Sequence, residues 1–328
     1  LRAHSAGCCS QPWHAKLRRE FAGIDSVATL QDKVEYYVDH TIERATDGVT
    51  YTGVEQLKSG CAYLFLANHR DIVMDPAFVN YAVYHAGLPT PRIAIGDNLL
   101  QKPFVSDLMR LNKSFIVHRS ITGRREKMAA YQLLSAYINH SITKDCQSIW
   151  IAQAEGRAKD GDDRTESAIL KMFHMSRKDE PFGDVIRSLN LIPVSISYEY
   201  DPCDSAKARE LYIRATTGAY TKTPGEDDVS IALGITGYKG RVHVNFAHRR
   251  SPSISRTPSN WPSRWTGRFS AAIGCSRCIT WRMRNGALPI RRLKCPRLKR
   301  CSRQMSSTAP GKSGKAAWQA RRSSIALT

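Results

Sequence analysis

No run of about 18 apolar residues occurs in the 328-residue chain, so no segment qualifies as a membrane-crossing helix. Leu1 to Lys16 lack the apolar centre of a secretory signal. No Gly-x-Ser-x-Gly elbow is present, so the chain lacks the signature of an α/β-hydrolase serine nucleophile. These absences predict a cytoplasmic protein, or one peripheral to the inner face of a membrane. Acidic residues are also missing from one region. Residues 248–328 hold 19 of the 49 Lys and Arg and none of the 29 Asp and Glu. Residues 1–247 therefore carry 30 basic and 29 acidic groups, and the net charge of +20 belongs to the tail. The body has no electrostatic footprint of a nucleic-acid binder, and no nucleic-acid partner is expected.

Four of the six Trp and four of the nine Cys also fall in that tail. Three readings stay open for it. A disordered basic arm binds phospholipid or nucleic acid. Cys275 and Cys278, with Cys295 and Cys301, form a metal knuckle of irregular spacing. Alternatively, the stretch is a GC-rich gene read out of frame, which yields this mixture of Arg, Ser, Pro, Ala, Cys and Trp. Residues 1–24 lack periodicity and read as poorly ordered. The organised part is 25–247.

Within it, Leu30, Val34, Val38 and Ile42 recur every four residues, an amphipathic helix over 30–45. Gly48 to Gly53 reads as a turn. Residues 61–66 form a short apolar run suited to a buried strand, and 77–86 have helical spacing. The alternation continues with a strand at 91–96, a helix at about 105–111, a strand at 115–118 and a helix at 124–140. A strand at 148–152 and a helix at 165–175 follow. The strand at 191–198 contains Pro193, which predicts an edge or bulge position. A helix near 206–215, a polar loop and a strand at 241–246 close the body. This grammar predicts a single α/β domain with a mixed, largely parallel sheet flanked by helices. Cys61 and Cys146 lie on or beside apolar strands and read as buried thiols of a reducing compartment. His118, His140 and His174 lack ligand spacing, and no metal is assigned.

Chemistry concentrates where strands end. Asn68-His69-Arg70 leaves the first buried strand, with Asp71 and Asp75 close behind. Imidazole takes and returns protons near neutral pH, and a carboxylate fixes its tautomer. The plainer alternative is a helix start capped by the two aspartates. Gly96-Asp97-Asn98-Leu99, Val117-His118-Arg119-Ser120 and Glu155-Gly156-Arg157 end three other strands. Carboxyl ends of parallel strands open on one crevice. A histidine–acid pair beside two guanidinium groups suits proton abstraction next to a bound phosphate.

Over roughly 60–247 this set resembles the glycerolipid acyltransferase superfamily, enzymes that acylate glycerol-3-phosphate or lysophosphatidate from an acyl thioester. His69 with Asp75-Pro76 is similar to its first block, and Phe115–Ser120 to its second. Glu155-Gly156-Arg157 is similar to the third, and Leu191–Glu199 with Pro193 to the fourth. Gly96–Leu100 resembles the stretch of the glycerol-3-phosphate-specific branch. The resemblance implies that fold, a catalytic His69–Asp75 pair, and substrate contacts from Arg70, Asn98, Arg119, Ser120, Glu155, Gly156 and Arg157. It implies acyl-CoA or acyl-carrier protein as co-substrate, no cofactor, a glycerol phosphate acceptor and a peripheral membrane surface. Two departures stand out. Five residues, not the family's four, separate His69 from Asp75, which leaves Asp71 as an alternative partner. Glycine and arginine are adjacent at 156–157, which leaves Lys159 as a second phosphate ligand. Arg119 also has a structural alternative, an ion pair with Glu155. A non-catalytic phosphate or lipid-head-group binder on the same fold is the rival function.

Overall fold

The computed structural model describes residues 19, 22–99, 109–161 and 163–247. The expectations for residues 1–24, apart from 19 and 22–24, lie outside the described residues, as do those for the tail at 248–328. Most of the helix expected at 105–111 lies outside them too.

From residue 22 on, the first described helix is α1 (Val27–Ala45). Ser26 and Thr29 start it reciprocally: each side-chain oxygen accepts the other's backbone N–H, at 3.1 and 3.2 Å. Next come β1 (Val49–Thr52), β2 (Leu64–Ala67), α2 (Met74–His85), β3 (Arg92–Gly96) and β4 (Ser114–Val117). The chain continues through α3 (Arg124–Thr143), β5 (Ile149–Ala152), α4 (Ser167–His174), α5 (Phe182–Ser188) and β6 (Ile192–Tyr198). It closes with α6 (Asp204–Thr217), α7 (Glu226–Thr236) and β7 (Val242–Phe246). No described helix is long and apolar enough to cross a membrane.

The seven strands lie in the order β1-β7-β6-β2-β5-β3-β4. β6, β2, β5, β3 and β4 run parallel, while β7 is antiparallel to β6 and carries β1 parallel to itself. The sheet is mixed and largely parallel, as the alternating pattern predicts. Its two faces are filled by alternate residues of the same strands. Leu64, Leu66, Ile149 and Ile151 pack against Leu134 and Ile138 of α3 and against α4 and α5. Phe65, Ala67, Trp150 and Val194 pack on the other face, with Phe78 and Val79 of α2. β2 is buried throughout, which fixes the start of the loop that follows it.

Several expectations are corrected. Gly48 to Gly53 contains strand β1, not only a turn; its Val-Thr-Tyr-Thr sequence pairs with β7 along one edge. The polar loop contains α7, whose first turn carries Glu226, Asp227 and Asp228, charges that suit a helix N-terminus. Pro193 sits in an inner strand, between β2 and β7. Its missing N–H falls where the β7 ladder ends: Pro193 O accepts Ala247 N at 2.9 Å. Ala247 O takes Gln56 Nε2 as donor instead, at 3.3 Å. Cys61 and Cys146 are exposed, whereas Cys203 is buried. Cys61 lies in the turn ahead of β2, and Cys146 occupies a left-handed position (φ 53°) between α3 and β5.

Candidate active site

Because five strands run the same way, His69, Gly96, Arg119 and the Glu155–Arg157 turn meet at one edge of the sheet. They line a cleft of about 180 Å³. Ile72, Ile93, Ile95 and Trp150 supply its apolar wall.

The loop between β2 and α2 is built on buried polar contacts. Asn68 continues the ladder from its side chain: Oδ1 accepts Ile196 N at 2.8 Å and Nδ2 donates to Ile196 O at 3.1 Å. The next residue is thereby pointed off the end of the sheet. His69 Nδ1 lies 3.0 Å from Asp75 Oδ2, and its ring sits edge-on to Trp150 at 5.8 Å. Asp75 is fully buried in the first turn of α2. Its Oδ2 also accepts the backbone N–H groups of Arg70 (2.5 Å) and Asp71 (2.9 Å). The Tyr198 hydroxyl donates to Oδ1 at 2.6 Å. Among the described residues the second ring nitrogen of His69 has no partner.

Asp71, the alternative partner, faces elsewhere. Its Oδ1 accepts Val73 N and Met74 N at 2.9 and 2.8 Å, so it caps α2. Burial, then the neighbouring charge of Asp75, pushes its carboxyl above the usual range. The fifth residue between His69 and Asp75 is taken up in this capped turn, ahead of the first helical residue.

Arg119 lines the cleft and forms no ion pair with Glu155. Its main chain is fixed by Asp97, which accepts Arg119 N and Ser120 N, both at 3.2 Å, and Ser120 Oγ at 2.5 Å. Partial burial pushes Asp97 up, but these hydrogen bonds outweigh it and hold the carboxyl below its ordinary range. Gly96 lets the Asn98 and Arg119 side chains close in over the backbone. A Cβ there would lie 2.4 Å from Asn98 Oδ1 and 3.1 Å from Arg119 Nε. Arg157 also lines the cleft, and its Nη1 is buried without a hydrogen-bond partner. Gly156 beside it adopts φ 77°, a turn that a side chain would strain. Lys159 does not line the cleft; its ammonium donates to Arg157 O at 3.1 Å and pairs with Glu210 at 3.4 Å.

Two of the expected contacts lie apart from the cleft wall. Arg70 is buried, and its guanidinium donates to Asp163 at 2.6 Å. Ser120 spends its hydroxyl on Asp97. In this geometry both side chains are engaged by carboxylates and neither lines the cleft. Residues outside the candidate list complete the site. Tyr198 and Asp163 sit behind it, and Lys222 and Asp227 stand at its rim. Lys222 donates to Asp227 at 2.6 Å, and Asn98 Nδ2 reaches Asp227 at 3.4 Å. A second chamber of about 220 Å³ lies between α1, α2 and β3 and shares Ile72, Pro76, Ile93, Ile95 and Leu99 with the cleft.

Comparison with known proteins gives likenesses to acyltransferases. Residues 48–197 match the family model described as Acyltransferase. The likeness to that family extends over 150 of the chain's 328 residues. It is 26% identical over 240 residues to a glycerol-3-phosphate acyltransferase of Pseudoalteromonas translucida, covering 70% of this chain and 27% of that one. It is 27% identical over 196 residues to the glycerol-3-phosphate acyltransferase of Baumannia cicadellinicola, covering 58% and 22%. The chain thus spans about a quarter of the length of the curated relatives it matches. Among solved structures, the 1-acyl-sn-glycerophosphate (LPA) acyltransferase of Thermotoga maritima superposes with a TM-score of 0.43 at 11% identity, over 80% of this chain and 87% of that one.

Proposed function

We propose that the chain is an O-acyltransferase that moves a fatty acyl group from acyl-CoA or acyl-carrier protein to a hydroxyl of glycerol-3-phosphate, with 1-acylglycerol-3-phosphate as the second acceptor to test. The observation that carries this reading is the His69 Nδ1–Asp75 Oδ2 contact of 3.0 Å on the wall of a cleft that also holds Arg119 and Arg157. With Nδ1 engaged, Nε2 takes the proton of the acceptor hydroxyl. The hydroxyl oxygen attacks the thioester carbonyl, the carbon–sulfur bond breaks, and the thiolate recovers the proton from His69. Asp75 stabilises the imidazolium formed between the two steps. Guanidinium groups match phosphate oxygens in a fork, which suits Arg119 and Arg157 to hold the acceptor's phosphate. Backbone amides around Gly156 are available to the developing oxyanion. The adjoining chamber has a mostly apolar lining, which suits a fatty chain. A lipid product makes a membrane surface the place of work.

The test is acyl transfer from palmitoyl-CoA to each acceptor by the wild-type chain and by His69→Ala. Removing a general base costs about 10²–10⁴ in rate. Turnover should fall by that factor while affinity for inorganic phosphate stays within about threefold. Equal rates from the two proteins would remove His69 as the base. Phosphate binding with no turnover by wild type would favour a phosphate or head-group binder.

A further inference from the structure

A single hydrogen bond leaves the carboxylate torsion of an aspartate soft, because that torsion is broad and roughly two-fold. Asp75 has no such freedom. Oδ2 receives His69 Nδ1 and two backbone N–H groups, and Oδ1 receives the hydroxyl of Tyr198. Tyr198 ends β6 and stands one residue beyond the stretch that matches the acyltransferase family. Its ring packs against Phe78 of α2 at 6.0 Å, so the hydroxyl is delivered from a fixed position. Burial, then the carboxylates of Asp75 and Asp71, pushes the phenol well above its ordinary range, so it remains a donor at working pH.

The other end of the turn is held by α6. Lys207, 4% exposed, donates to Arg70 O at 2.7 Å and pairs with Asp201. Backbone and side chain of the His69–Asp75 turn are thus clamped by two separate elements, α6 and β6. Both clamps come from the chain after residue 197.

We propose that Tyr198 and Lys207 are positioning residues, which fix the Asp75 carboxylate and the Arg70 peptide so that His69 is held with its proton on Nδ1 and its Nε2 free to act as base. The kinetic consequence rests on the acyl-transfer reading above; the tautomer does not.

The experiment is long-range proton–nitrogen NMR of the histidine rings at pH 8, on the full chain as wild type, Tyr198→Phe and Lys207→Met. The His69 signals are those lost in His69→Ala. Wild type should show the Nδ1–H form of His69. Tyr198→Phe keeps the ring against Phe78 and should admit the Nε2–H form. Its kcat for glycerol-3-phosphate should fall about tenfold, the scale of one hydrogen bond to a charged group, with KM within twofold. Lys207→Met should do the same to a lesser degree, and Lys207→Arg should restore it. An unchanged tautomer in Tyr198→Phe would overturn the proposal, whatever Lys207→Met does. So would a variant that loses thermal stability but keeps kcat. A wild-type chain that shows the Nδ1–H form yet transfers no acyl group would sink the function and leave the positioning role standing.

Discussion

Residues 48–197 place His69, Gly96, Asn98, Arg119, Glu155 and Arg157 on the cleft wall, whereas residues 198–247 place only Lys222 and Asp227 there. Behind the wall the balance reverses. The later segment supplies Tyr198 to Asp75, Lys207 to Arg70 O, and Gly234 against Asp71, where a Cβ would lie 2.2 Å from Oδ2. It also completes the sheet: β7 pairs with β6 on one side and β1 on the other. One segment lines the cleft, and the other supports that lining from behind. Charges buried without substrate in reach, such as Lys207 and the fully buried Lys239, are costly unless paired. Their presence beside the His69–Asp75 turn indicates that position there is specified by polar contacts as well as by apolar packing.

The largest effect that would break this division lies in the sheet. Phe246 of β7 is fully buried and meets Phe65 of β2 edge-on at 5.6 Å. Phe246→Ala should lower stability by about 3–5 kcal/mol, the usual range for a buried phenylalanine. Urea unfolding reads it directly. A loss under about 1 kcal/mol would mean that the later segment is an attachment and not part of the core. A smaller effect is expected on the wall. Arg119→Gln removes a guanidinium that makes no ion pair with Glu155, so stability should hardly change. KM for glycerol-3-phosphate should rise about 10–100-fold, equivalent to roughly 1.5–3 kcal/mol for a charged hydrogen bond. If kcat fell and KM did not, Arg119 would serve the transition state and not the acceptor's ground state.

The same division explains what the sequence made legible. Strand-end motifs at 69, 96, 119 and 155–157 are readable because parallel strands deliver their carboxyl ends to one side, and residue type then names the chemistry. The brace left no such mark. Tyr198 looks like one more strand residue, and Lys207 looks like the solvated face of a helix, since no periodicity distinguishes a buried lysine from an exposed one. β1 was hidden by the glycines that flank its four residues. α7 was hidden by three acids at its start, which read as loop although they suit a helix N-terminus. Pro193 misled for a different reason. Its missing donor matters only where a partner strand needs it, and there β7 has already ended. Arg70 and Ser120 carry the right chemistry for phosphate, but Asp163 and Asp97 claim them first.

The smallest expected effect concerns Asp97, the residue that sets Arg119 without touching the cleft itself. Its carboxyl is held below the ordinary range by Ser120 and the Arg119 peptide. A carboxyl depressed in the folded state adds stability above its unfolded pKa of about 3.9, and that contribution disappears as pH falls through the lower folded value. The stability gap between wild type and Asp97→Asn should therefore shrink as pH falls below about 4, as read by urea midpoints across the acid range. Because the group is partly exposed, the gap should be modest, within about 1 kcal/mol. KM for glycerol-3-phosphate should rise in the same variant, though less than in Arg119→Gln, because the guanidinium remains and only its anchorage is loosened. A variant whose KM matched wild type while its acid sensitivity changed would separate the two roles. The loop would then owe its stability to Asp97, and Arg119 would find the phosphate unaided.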